Sequence, residues 1–96
     1  MLTLEQLHEK RDALIALAGQ HRAENVRVFG SVARGEAHEK SDLDLLVHFR
    51  EGASLFDLID LKDDAEKLLG LTVDIVSDGG LSPYLKERIL SEARPI

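Results

Sequence analysis

The chain reads as an α/β (α+β) fold: helices and short strands alternate in the order α-β-α-β-α-β-α, giving a small mixed β-sheet flanked by helices. Three observations predict it. Apolar residues recur at helical spacing over residues 4–18 and 55–69. Short runs rich in β-branched residues, VRVF at 26–29, LDLLVHF at 43–49 and TVDIV at 72–76, stand between and after them. Helix start and stop residues fall at the ends of the periodic segments.

Thr3-x-x-Gln6 is a capping-box pattern, and Leu4, Leu7, Leu14, Ile15 and Ala18 follow at helical spacing, with Gly19 suited to the stop. The first helix is therefore expected over about residues 4–18. Val26–Phe29 is the first strand, and Ser31 opens a short helix ending near Gly35. Leu43–Phe49 is the second strand, with Leu43, Leu45, Val47 and Phe49 on one face. Ser54-x-x-Asp57 caps a third helix to Leu69, with a stripe of Leu55, Leu58, Ile59, Ala65 and Leu68, leaving Phe56 and Leu61 off it, and Gly70 ending it. Thr72–Val76 is the third strand. Ser82 and Pro83 open a last helix expected to turn Leu85, Ile89 and Ala93 inward.

Ninety-six residues correspond to one domain, expected to span 1–96, and no repeat or low-complexity segment divides them. No apolar window reaches the roughly 18 residues of a membrane span, and MLTLEQLHEKRD has no signal-peptide pattern. The lack of cysteine excludes disulfides and thiolate metal sites and fits a cytoplasmic protein. Twelve basic residues against eighteen acidic give a net charge of −6, which argues against direct nucleic-acid binding through phosphate contacts. Such a chain can still hold a nucleotide if a divalent cation stands between its carboxylates and the phosphates.

The chemistry concentrates in GSVARGEAHEKSDLDLLV at 30–47. Gly30 follows a strand and, lacking a Cβ, lets backbone approach a ligand; Ser31 adds a hydroxyl at a helix start where unpaired N–H groups favour an anion. Taken alone the pair also reads as a tight turn with an N-cap. Asp42 and Asp44 alternate in a strand, so they share a face about 7 Å apart, a costly arrangement unless a cation such as Mg²⁺ bridges them. Asp74 stands central in TVDIV, on the face away from Val73 and Ile75, and joins the same cluster if the two strands are neighbours.

Gly-Ser, ten intervening residues, D-x-D entering an apolar strand and a later strand with a central Asp together resemble the nucleotidyltransferase superfamily related to DNA polymerase β. With GSVARGE and SDLDLLV the chain looks most like its minimal nucleotidyltransferase branch, the MntA-like antitoxin type. The resemblance covers about residues 20–90 and implies the corresponding DNA polymerase β-like fold. It implies attack of an acceptor hydroxyl on the α-phosphate of a nucleoside triphosphate, with pyrophosphate leaving and two Mg²⁺ ions about 3.5–4 Å apart. On this reading Gly30 and Ser31 hold the β/γ phosphates, Asp42, Asp44 and Asp74 ligate metal, and Asp74 also orients or deprotonates the acceptor. Arg34 either reaches phosphate and the aspartates or forms an ion pair with Glu36 or Glu39. Lys40 and Ser41 flank the same strand and can assist.

The resemblance further implies ATP as donor and, as partner, a small helical HEPN-domain toxin modified on a tyrosine. A partner surface is expected, because no appended helical domain follows the fourth helix to bind base or acceptor. Two other readings compete: a non-catalytic module that neutralises its partner by contact, and a small-molecule nucleotidyltransferase that needs a second subunit. The histidines His8, His21, His38 and His48 show no zinc spacing and are expected to be solvated.

Overall fold

The computed structural model describes residues 3–38 and 41–96. Lys40, and Glu39 as a partner for Arg34, lie outside the described residues. The elements run α1 (Leu4–Glu9), α2 (Arg11–Gln20), β1 (Ala23–Phe29), α3 (Gly30–Ala33), β2 (Leu43–Phe49), α4 (Leu55–Leu69), β3 (Val73–Ser77), a 3₁₀ turn (Asp78–Gly80), α5 (Pro83–Glu92) and β4 (Arg94–Pro95). The sheet has the order β3-β2-β1-β4, with β2 and β3 parallel and the other pairs antiparallel. It is the small mixed sheet expected, with a fourth strand added at its edge.

That strand, two residues long and containing a proline, has no periodicity of its own to read. It pairs Arg94 and Pro95 with Val28 and Arg27 and carries Ile96 into the core. The first strand is also longer than expected. Asn25, at φ 53°, sits in a bulge that shifts the β1–β2 register between Glu24 and Arg27. The extra residue returns Ala23 to the core face shared by Val26 and Val28, a phase that simple alternation hides.

The first helix is two. Thr3 accepts from the Gln6 N–H at 3.1 Å and Gln6 caps back at 3.0 Å, as the capping box predicts. The chain then breaks at Lys10, and the second helix runs through Gly19 to Gln20. Across the break Leu7, Leu14 and Ala18 keep to one face at i, i+7 and i+11 and are buried, while Ile15 is turned out. On α4 the Ser54–Asp57 capping box and the left-handed Gly70 at φ 71° stand where expected. Its stripe is rotated, however: Leu61 is buried beside Ala65, with Leu58 and Leu68 half-buried, whereas Leu55 and Ile59 face outward with Phe56. The inward set is spaced 58, 61, 65, 68, rotated from the one read from helical spacing.

These helices share one face of the sheet. Leu7, Leu14, Ala18, Leu61 and Ala65 meet Val28, Leu43, Leu45, Val47, Val73 and Ile75 in a single core cluster. Pairing of Leu43 with Val73 and Leu45 with Ile75 puts the alternate residues of β2 and β3 on the opposite face. That face is not covered by α1, α2 or α4. No helix among the described residues is long and apolar enough to cross a membrane.

Candidate active site

The uncovered face gathers the charged residues of the strands. Asp44 and Asp74 are direct partners in the parallel β2–β3 ladder, so their backbones stand about 4.8 Å apart with side chains on one side. Phe29 is the partner of Asp44 on the other neighbour, β1. Asp42 lies one residue before β2 and is exposed, so it reaches the cluster from the incoming loop rather than from within a strand. Asp44 is half-buried and its carboxyl is held above the usual range, by burial first and then by repulsion from Asp74 and Asp42. Arg34 opposes this and Glu92 adds to it.

Gly30 follows β1 and starts α3 at φ +74°, the left-handed region that glycine tolerates. A Cβ built there would collide with Asp44 Oδ2 and lie 3.1 Å from its Cγ. The glycine therefore makes room for the carboxylate itself, before any ligand is considered. Ser31 follows it, partly exposed, beside a cleft of about 300 Å³ lined by Phe29, Gly30, Ser31, Arg34, Asp44, Leu85, Arg88, Ile89 and Glu92. A wider groove of about 430 Å³ between α1 and the loop before β2 contains none of the three aspartates.

Arg34 takes the ion-pair option. Its Nε donates to Glu36 at 3.1 Å, and its Nη1 donates to both oxygens of Glu92 at 3.2 and 3.1 Å. Glu36 and Glu92 together raise its already high pKa. Ser41 is engaged in a turn: its hydroxyl accepts from the His38 N–H at 2.9 Å and its own N–H donates to the His38 carbonyl.

His21 departs from the expectation of solvated histidines, being mostly buried, whereas His48 is exposed; each meets a carboxylate. His21 Nε2 lies 2.8 Å from Asp64 Oδ2, and His48 Nδ1 lies 3.0 Å from Asp78 Oδ1. Asp78 also accepts from Arg27 Nη2 at 2.9 Å. Burial pushes the Asp78 carboxyl up, but these two partners outweigh it and hold it below the ordinary range. This group lies farther along the same face, since His48 is four residues beyond Asp44 on β2.

Sequence reading missed the contribution of α5. Leu85 and Ile89 were expected in the core, yet no side chain of this helix is buried. They face the cleft instead, with Arg88 and Glu92 at i, i+3, i+4 and i+7. The LxxRIxxE spacing was visible as one helical face, but nothing local tells a cleft from a core.

The donor set fits a divalent cation. Asp44 and Asp74 pair across the ladder with Asp42 in electrostatic reach of Asp44, and the Arg34 guanidinium that also acts on Asp44 is already paired with two glutamates. Among the described residues no three His, Asp or Glu side chains enclose an ion by themselves. Mg²⁺ takes one or two carboxylates and completes its shell with water and substrate oxygens, a demand that the Asp44–Asp74 pair can meet.

A family model described as a nucleotidyltransferase domain matches residues 6–96. The protein adenylyltransferase MntA of Thermococcus cleftensis is 40% identical over 98 residues, covering 96% of this chain and 94% of its own length. A solved structure provisionally described as a minimal nucleotidyltransferase is 56% identical, with a TM-score of 0.89 over 99% of this chain and 97% of that one. A toxin–antitoxin crystal structure with AMP-PNP shares the fold, with a TM-score of 0.76 at 21% identity over 88% of this chain and 70% of that one.

Proposed function

The chain belongs to the nucleotidyltransferase domain family, and from that membership we propose that it transfers AMP from ATP to a hydroxyl of a partner protein within a toxin–antitoxin pair. The observation that carries the proposal is the ladder pairing of Asp44 with Asp74 beside the Gly30–Ser31 turn. Asp44, Asp74 and the Gly30–Ser31 turn meet at one corner of the sheet, on the face that α1, α2 and α4 leave uncovered. The relative named a protein adenylyltransferase supports the reaction class. The toxin–antitoxin neighbour crystallised with AMP-PNP supports the nucleotide and the kind of partner. We take the partner to be a small helical toxin of the HEPN type, with a tyrosine as acceptor.

In the proposed reaction the acceptor oxygen forms a bond to the α-phosphorus, the bond to the bridging oxygen breaks, and pyrophosphate leaves. Asp42 and Asp44 would hold Mg²⁺, with Asp74 as a further ligand on the acceptor side. Bound there, Mg²⁺ supplies neutralisation of phosphate charge. Ser31 donates its hydroxyl, and the Gly30–Ser31 backbone its N–H groups, to the β/γ phosphates. Asp74 orients the acceptor hydroxyl and takes its proton. Arg34 stands within electrostatic reach of Asp44 and offers its guanidinium to the phosphates once Glu92 yields it. Positioning and charge neutralisation thus carry most of the rate.

The test incubates the protein with α-labelled ATP, GTP, CTP or UTP, Mg²⁺ and the small helical protein encoded beside it. Label from ATP retained on a tyrosine of that protein is expected. Inhibition of the partner without label would overturn transfer in favour of binding alone, and label found only on a small molecule would overturn the protein acceptor.

A further inference from the structure

The cleft beside Asp44 already contains an anion of the protein's own. Glu92 receives two hydrogen bonds from Arg34 Nη1, and Arg88 Nε lies 3.7 Å from its Oε1. Two guanidiniums thus converge on one carboxylate at the edge of a cleft that also holds Ser31. Along the same helical face, Leu85 and Ile89 line this cleft together with Phe29 and make part of its wall apolar. None of these α5 residues is buried, and Leu85 is half exposed, although an apolar pair at i and i+4 would ordinarily be packed. A wall with two cations at one end and an apolar strip beside them has the chemistry of a nucleoside polyphosphate.

We propose that α5 is the nucleotide clamp of this domain: Arg88 contacts the phosphates, Leu85 and Ile89 cover the nucleoside, and Glu92 is an internal stand-in for phosphate that holds Arg34 until the nucleotide displaces it. This rests on the nucleotidyltransferase reading above and adds to it the residues that grip the donor. Arg88 has one weak internal partner and a mostly exposed side chain, so turning toward a ligand costs it little. A guanidinium to phosphate is a charge-assisted contact, and its loss is expected to weaken binding about tenfold or more. The apolar strip lies on the same helix, so phosphate and nucleoside are read by one rigid element.

The experiment measures binding of Mg²⁺-ATP, Mg²⁺-tripolyphosphate and adenosine to the full chain by calorimetry, with thermal melts as the folding control. Arg88→Ala is expected to weaken ATP and tripolyphosphate alike and to leave adenosine unchanged. Leu85→Ser is expected to weaken ATP and adenosine but spare tripolyphosphate. Glu92→Gln removes the internal competitor and is expected to tighten tripolyphosphate several-fold. All three positions lie on a helix with no buried side chain, so melts should stay near wild type. Wild-type affinity for ATP in the Arg88→Ala protein would overturn the clamp while leaving the proposed reaction standing. Weaker tripolyphosphate binding in Glu92→Gln would overturn the stand-in role. A wild-type chain that binds no Mg²⁺-ATP would overturn both readings.

Discussion

On the helix-covered face of the sheet, Leu43, Leu45 and Val47 of β2 meet Val73 and Ile75 of β3, all nearly inaccessible to solvent. One residue along the same strands, Asp44, Leu46 and His48 share the opposite face with Asp74 and Val76. Burial of apolar area drives the first face. The second half-buries the Asp44 carboxyl and sets it against Asp74 and Asp42, which together raise its pKa and cost stability. Strand alternation thus lets one short segment serve folding and chemistry at once, with each residue assigned by parity. Leu46, fully buried yet outside the main core cluster, separates the aspartate corner from the His48–Asp78–Arg27 group on the open face.

Asp44→Asn breaks the contrast most sharply. Turnover of Mg²⁺-ATP is expected to fall at least about a hundredfold, while the melting temperature measured in chelator rises. The sign follows from the raised pKa: the folded state binds the Asp44 proton more tightly than the unfolded state, so stability declines as pH rises through that range. The mutant's advantage should therefore be present at neutral pH and vanish below the ordinary carboxylate range. A thermal series against pH checks it.

Leu45→Ala, one position away, should do the reverse. Loss of a fully buried leucine costs about 2–5 kcal/mol, a large share of the roughly 5–15 kcal/mol available to a domain. Urea denaturation reads the loss, and per-molecule activity of the fraction still folded at low temperature should remain near wild type.

The smallest effect is expected at the far end of the open face. Asp78→Asn leaves Arg27, which is mostly buried, without its charged partner, at about 1–3 kcal/mol. Because the Asp78 pKa is lowered, its contribution is present above the ordinary carboxylate range and lost as pH falls through the folded value. Urea midpoints of wild type and mutant should accordingly converge in acid.

Much of the fold was legible because its signals are local. Both capping boxes, the glycine that ends α4, the full extent of β2 and the proline that opens α5 depend on neighbours a few residues away. The errors fall where an element is interrupted or contact is distant. Lys10 breaks a helix whose apolar spacing continues across it, and Asn25 inserts a bulge that displaces the alternation of β1. On α4 the stripe read from spacing left Leu61 out, and packing against the sheet turned Leu61 inward and Leu55 and Ile59 outward.

By itself, then, the sequence determined the parity of β2 and β3, the Gly30–Ser31 turn, and the alternation that places Asp44 opposite a leucine core. Those features follow from the two- and 3.6-residue periods of the backbone, which any local segment displays. Only the tertiary structure decided that Asp74 is the ladder partner of Asp44, that Gly30 is kept small by the Asp44 carboxylate, and that Glu92 closes on Arg34 across 58 residues of chain. Those contacts depend on register and on the path of the chain between elements. No short-range period carries that information, because side chains distant in sequence meet only after the sheet has fixed the direction of each strand.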